Sequence, residues 1–299
     1  MKDIIKVGIA LTTKAYMPEA YAYRDYLTKA GFQVKLDYYK ALNDVDIKIR
    51  FMGIALPGIF SHNPNGIPEI HEYASLSVPP FGSIKDIIKA RINRKPVARI
   101  FQNPLIKKSL PFNDQIPWIF RDMGVDKGFF TKPNPYPEFD LVYCGAERIG
   151  LDRVLKLLGS YQLKILVIGK MSKNFISAFD VNDQIVFYGS AERNRLPALF
   201  RNCRLGLNFT PNNYPFNYQT STKTLEYCAA GLGIISNRYY WVEQFEKSRK
   251  GRFLWLENIH ERSDIEQFEF TTPDVQDLEW NKLLDKASFG SFIRNLVLI

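Results

Sequence analysis

The chain has 299 residues, 46% of them hydrophobic and 24% charged, so it can bury one large core or two moderate ones, and two domains are expected. Its formal net charge of +9 is local: Met1 to Pro79 carries 9 basic against 8 acidic residues, Pro80 to Lys132 carries 11 against 4, and Pro133 to Ile299 carries 20 against 19. Three cysteines without CxxC spacing exclude a closed disulfide framework and fit a reducing cytoplasm, and no run approaches the roughly 18 to 20 apolar residues that would cross a bilayer.

Ile4 to Leu11 is an apolar run, but Asp3 and Lys6 interrupt the short core a signal peptide would need, so it reads as a first buried strand. Pro18 to Ala30 reads as a helix closed by Gly31, followed by the alternating strand Gln33 to Tyr39. Asp46 to Ala55 and Tyr73 to Val78 are predicted strands, Ile84 to Ile92 a helix, and Pro96 to Phe101 a further strand with Pro104 just beyond it. Thr131 to Pro137 then packs three prolines into seven residues, which favours extended backbone and predicts a linker over 133–138 between domains at 1–132 and 139–299.

The alternation restarts with strand Phe139 to Cys144, helix Leu151 to Leu158, strands Lys164 to Ile168 and Gln184 to Tyr188, helix Arg195 to Arg201 and strand Arg204 to Phe209. Helix Thr222 to Ala230 and strand Gly233 to Ser236 follow, and the tail Asp274 to Leu298 has the apolar spacing of a terminal helix or helix pair. Continuous apolar strands such as Ile165 to Ile168 suit a parallel sheet covered on both faces, so two doubly wound, Rossmann-like α/β domains in tandem are expected.

The most informative stretch is Thr220 to Ser236, a polar loop, a short helix, a glycine stop at Gly231 and a buried strand. Leu225, Cys228, Ala229 and Leu232 can face the sheet, which leaves Thr222, Lys223 and Glu226 on the neighbouring solvent side of the first turns. Amides at a helix N-terminus attract phosphate, and the hydroxyls of Ser221 and Thr222 with the Lys223 ammonium would supplement them, while Glu226 could accept bonds from ribose hydroxyls. The alternative is that Ser221 or Thr222 is an N-cap and Glu226 a carboxylate favoured by the helix dipole, although neither spacing fits a capping box.

Pro211 to Ser236, with Lys223, Glu226, Ala229, Ala230, Gly231 and the apolar strand after them, resembles the donor-binding signature of family 4 and related glycosyltransferases of the B fold. The resemblance reaches back through Phe139 to Gly145, Ile165 to Gly169, Ile185 to Gly189 and Leu196 to Thr210, roughly the second half of the chain. It implies two Rossmann-like domains facing a central cleft and transfer of a hexose-type sugar from a UDP- or GDP-sugar to a surface polysaccharide or lipid-linked glycan, with no further cofactor. It places Glu226 on the donor ribose, Thr222 and Ser221 near the diphosphate and Arg148 within reach of the phosphates. Two departures stand out: Tyr218 occupies the place of a second acid, and Ile149 follows Arg148 where a lysine is usual. Tyr218 could touch the donor sugar or pack within its own loop, and the missing groups leave open a noncatalytic subunit that binds nucleotide sugar or a partner transferase.

In the first half, Leu11 to Tyr16 leaves the first strand where open α/β sheets bind ligands, and His62, in a turn-rich loop, is a candidate base or sugar ligand. Asp114 and Asp122 flank Trp118, and Asp114 is a candidate base for inverting chemistry. Lys85, Lys89, Arg91, Arg94 and Lys95 lie on or beside the helix Ile84 to Ile92, which is an acceptor or anionic-membrane surface if its apolar positions face out, and a core helix with a solvated charged face if they face in. Nucleic acid is a poorer partner for this stretch, because Phe101 is the one aromatic available for stacking between Ile84 and Lys108. No Cys/His cluster supports a metal, so diphosphate charge is expected to meet helix amides and cations.

Overall fold

The computed structural model describes residues 4–12, 17–53, 63, 65–179 and 184–298. They form two compact units, Met1–Gly124 with Leu278–Ile299, and Val125–Asp277.

The first unit is built on six parallel strands, β1 (Lys6–Leu11), β2 (Gln33–Tyr38), β3 (Ile47–Phe51), β4 (Glu69–Tyr73), β5 (Ala98–Phe101) and β6 (Trp118–Phe120), in the order β2, β1, β3, β4, β5, β6. Helices α1 (Pro18–Lys29), α2 (Gly82–Ile92) and α3 (Pro104–Ser109) lie between strands. Val7, Ile9, Ile47, Ile49, Ile70 and Ile100 are fully buried, as continuous apolar strands covered on both faces must be.

One strand differs from expectation. The residues Tyr73 to Val78 do not form it; the strand is Glu69 to Tyr73, all five residues buried. Glu69, His71 and Glu72 read as polar in sequence, yet each carboxylate meets a guanidinium from a later element, Glu69 with Arg94 and Glu72 with Arg121. Arg121 also donates from Nε to the Tyr23 hydroxyl at 2.6 Å, so the buried charge is both paired and hydrogen-bonded.

The second unit carries β7 (Phe139–Cys144), α4 (Leu151–Ser160), β8 (Ile165–Ile168), α5 (Lys173–Ser177), β9 (Ile185–Gly189), α6 (Leu196–Arg201), β10 (Cys203–Asn208), α7 (Thr222–Ala229), β11 (Gly233–Ser236), α8 (Tyr240–Ser248), β12 (Leu254–Trp255) and α9 (Arg262–Glu266). Its strands are also parallel, ordered β12, β11, β10, β7, β8, β9. The chain runs outward from β7 to β9, then returns to the other side of β7 as β10. That reversal, between β7 and β10, is where doubly wound sheets leave a crevice at their carboxyl ends.

The expected domain limits are corrected at two places. The proline-rich segment is no boundary: Val125 and Phe129 are buried, the Phe129 ring lies 5.6 Å from that of Phe200, and the Asn134 amide donates to the Arg201 carbonyl at 3.0 Å, all within the second unit. The terminal helices α10 (Trp280–Lys286) and α11 (Phe289–Val297) belong to the first unit, not to the domain they follow. Phe289 packs its ring 4.5 Å from Tyr23, the Tyr26 hydroxyl donates to Asp285 at 2.7 Å, and Arg294 donates to the Ala30 carbonyl.

Candidate functional site

Helix α7 begins at the reversal point because two residues hold it there. Ser221 is its N-cap, accepting from the Thr224 amide and donating from its hydroxyl to Asn208 Oδ1 at 3.0 Å, at the end of β10. Gly206 lets the helix approach the sheet, since a side chain there would run into the Tyr227 ring, whose hydroxyl accepts the Cys144 amide at 2.8 Å. Gly231, at φ +74°, then ends the helix in the left-handed conformation expected of a glycine stop.

A cavity of ≈ 240 Å³ opens beside this N-terminus, lined by Cys144 at the end of β7, Gly145, Ala146 and Arg148 after it, Thr210 after β10, and Thr220 to Lys223. The amides of Thr222 and Lys223 lie ahead of the helix's own hydrogen-bond ladder, at its positive end. Lys223 donates from Nζ to the Phe209 carbonyl at 2.8 Å and stands 4.9 Å over the Tyr143 ring. Burial lowers its ammonium to about 7, and Arg148 adds to the fall. Arg148 is exposed, reaches over the Phe216 ring at 5.8 Å and also lines a wider depression of ≈ 660 Å³ with Ile149, Ser172 and Asn174. The site therefore sets two cations beside a helix N-terminus, one of them, Lys223, lowered toward neutrality by burial.

The sequence-predicted residues divide here. Arg148, Ser221, Thr222 and Lys223 share the cavity wall. Ser221 is there as a cap, its hydroxyl engaged with Asn208 and with the Thr224 hydroxyl at 2.9 Å, as the N-cap alternative had it. Glu226 is not on the solvent side. It is 3% exposed, and its carboxylate lies 2.6 Å from Arg193 Nη2, while Arg193 Nε donates to Asp126 Oδ2 at 2.7 Å. Burial raises the Glu226 carboxyl to about 7, with Arg193 opposing the rise. Arg193, in the turn before α6, supplies the charge partner that makes this burial tolerable.

Tyr218 packs in its loop, its ring 4.6 Å from Tyr240 and 6.2 Å from Tyr214, and does not line the cavity. Asp114 takes a two-point ion pair from Arg99, at 2.5 and 2.8 Å, which holds its carboxyl below the usual range and makes it a weak proton acceptor. His62 and residues 13–16 lie outside the described residues. Of the basic set, Arg94 is turned inward onto Glu69 and Tyr39, whereas Lys85, Arg91 and Lys95 are exposed. Among the described residues no group of three metal-ligating side chains stands together. Arg193 and Asn208 were not legible as site residues, although a polar residue ending an apolar strand at the crevice is a signal that Asn208 does carry.

No family model matches the chain, and no curated protein matches it. Solved structures do. AviGT4, a glycosyltransferase involved in avilamycin A biosynthesis, is 12% identical over 98% of both chains, with a TM-score of 0.64. This chain has the glycosyltransferase B fold. UDP-GlcNAc 2-epimerase from Methanocaldococcus jannaschii shares that fold at a TM-score of 0.57, with 10% identity over 99% of this chain and 100% of its own. A glycosyltransferase from Rickettsia africae is similar at 0.54, with 10% identity over 99% and 96% of the two chains. At such identities the likeness establishes the B fold and leaves the reaction to the residues of the site.

Proposed function

We propose that this B-fold chain transfers a hexose-type sugar from a nucleoside diphosphate sugar to a surface polysaccharide or lipid-linked glycan. The observation that carries the reading is the cavity at the β7 and β10 strand ends, where the α7 N-terminus, Lys223 and Arg148 converge on a volume suited to a diphosphate. In this reading Thr222 and Lys223 amides and the two cations stabilise the diphosphate as it departs, the step at which negative charge accumulates. The cavity is smaller than the roughly 300–1,000 Å³ of ligand-sized pockets, so nucleoside and sugar extend beyond it, the wider depression past Arg148 offering room for one of them. Glu226, one turn along α7 and paired with Arg193 outside the cavity wall, accepts ribose hydroxyls in this reading when that pair opens. The chemistry uses no metal, and charge is met by protein groups alone.

Epimerases share the fold, and a binding subunit without turnover would share the pocket. A thermal-shift screen against UDP, GDP, CDP and their sugars comes first, because a ligand at 100 times its dissociation constant stabilises the fold by about 2.7 kcal/mol. One base should give a clear shift. The matching nucleotide sugar, incubated with a glycolipid extract, then separates transfer from epimerisation and from inert binding. No shift with any nucleotide would overturn the donor-site assignment.

A further inference from the structure

Helix α2 is amphipathic in the reverse sense of a core helix. Its acid, Asp86, points inward and accepts the Ser77 amide on both carboxylate oxygens at 3.1 Å. Its isoleucines point outward: Ile84 is 54% exposed, Ile87 40% and Ile88 44%, with Ile92 continuing the stripe one turn on. Phe81, at the head of the helix, is 72% exposed, and Val78 beside it is exposed as well. Spacings of i, i+3, i+4 and i+8 place these isoleucines along one face about 12 Å long.

Cations frame that face. Lys85, Arg91 and Lys95 are exposed around it, and Lys107 and Lys108 follow in the same stretch of excess positive charge. A contiguous apolar patch rimmed by charge on a folded chain marks a docking surface. Its chemistry selects the occupant. Nucleic acid would stack on a series of aromatic rings, but this face presents a single one, Phe81, and Phe101 beyond the helix is buried. An anionic bilayer supplies both an apolar phase for the isoleucines and phosphate charge for the lysines and arginine, without needing shape complementarity to a single helix.

We propose that α2 docks the protein on an anionic lipid surface, with Phe81, Ile84, Ile87 and Ile88 entering the headgroup boundary and Lys85, Arg91 and Lys95 on lipid phosphates. This surface belongs to the first unit and the proposed donor cavity to the second, so either assignment can fail without the other.

Co-sedimentation of the full chain with vesicles of phosphatidylcholine and phosphatidylglycerol, against phosphatidylcholine alone, tests it. Binding should need the anionic lipid and weaken in high salt. An Ile84→Ser, Ile87→Ser, Ile88→Ser variant should lose partitioning by about tenfold or more, while its melting temperature and nucleotide affinity stay unchanged, because the three side chains hold no core. Wild-type protein that ignores anionic vesicles, or a triple variant that binds as well as wild type, overturns the proposal. So does a wild-type dimer that the triple variant converts to monomer, or preferential binding to a single-stranded oligonucleotide.

Discussion

Raising the pH from 7 to 9 discharges Lys223 in the cavity at the head of α7, and that has a measurable consequence for the proposed nucleotide binding. Burial and then Arg148 hold the Lys223 ammonium near 7 in the ligand-free chain, although its Nζ keeps a hydrogen bond to the Phe209 carbonyl. A diphosphate within about 4–6 Å reverses that balance and favours the charged form. Binding above pH 7 must therefore take up a proton, and affinity falls by about tenfold per pH unit, roughly fiftyfold between pH 7 and 9. Stability of the ligand-free protein moves the other way. Unfolded lysine titrates near 10.5 and the folded one near 7, so the unfolded chain binds more protons across that window and stability rises with pH through it; below 7 the cost of the buried charge is fully present. Titration calorimetry at pH 8, in two buffers of different ionisation heat, counts the proton with whichever nucleoside diphosphate the thermal screen selects. Uptake of about one proton is expected, and Lys223→Met should abolish it together with the pH dependence. An affinity flat from pH 7 to 9, or uptake that survives Lys223→Met, would refute the reasoning.

The buried pair under α7 makes Glu226 a structural residue as well as a proposed ligand. Glu226→Ala strands Arg193, which keeps Asp126 and some solvent, so a cost of about 2–3 kcal/mol is expected, below that of a fully enclosed pair; Glu226→Gln should restore most of it, and chemical denaturation of the two variants decides. Gly206→Ala should cost about 1–3 kcal/mol by pushing Tyr227 and with it the start of α7. Nucleotide affinity should fall in parallel, and a variant with wild-type melting and wild-type affinity would show that the close helix approach does not set the pocket.

The elements most legible in sequence were those whose apolar residues meet other apolar residues. The first strand, the helix from Pro18, the strand from Ile165 and the helix and glycine stop at Thr222 to Gly231 all stand where periodicity and capping place them. Strand β4 was missed because its glutamates and histidine look solvated until Arg94 and Arg121 arrive from 25 and 49 residues away. The same blindness put Glu226 on the wrong side of α7: helical spacing gives an angle around the axis, but the partner that makes burial tolerable lies on the turn before α6. Gly206 reads as a weak strand residue in isolation, and its reason is a tyrosine ring on a helix not yet formed. The cavity at the head of α7 was thus visible through its loop and cap chemistry, whereas its supporting contacts depend on pairings no local window contains. Helix α2 was ambiguous for a simpler reason, since its pattern is the same whichever way it faces, and only Asp86 bound to the Ser77 amide shows which side is in.

The return of residues 278–299 to the first unit makes Val125–Asp277 an insertion within a discontinuous body. During synthesis the second unit has its whole chain available first, while Tyr23 and Tyr26 of α1 wait for partners more than 250 residues away. Phe289 and Asp285 close that face only when the final helices emerge. Loss of the last two helices should therefore leave the second unit folded and unravel the beginning of the chain instead, with cleavage appearing near the N-terminus rather than beside the cut.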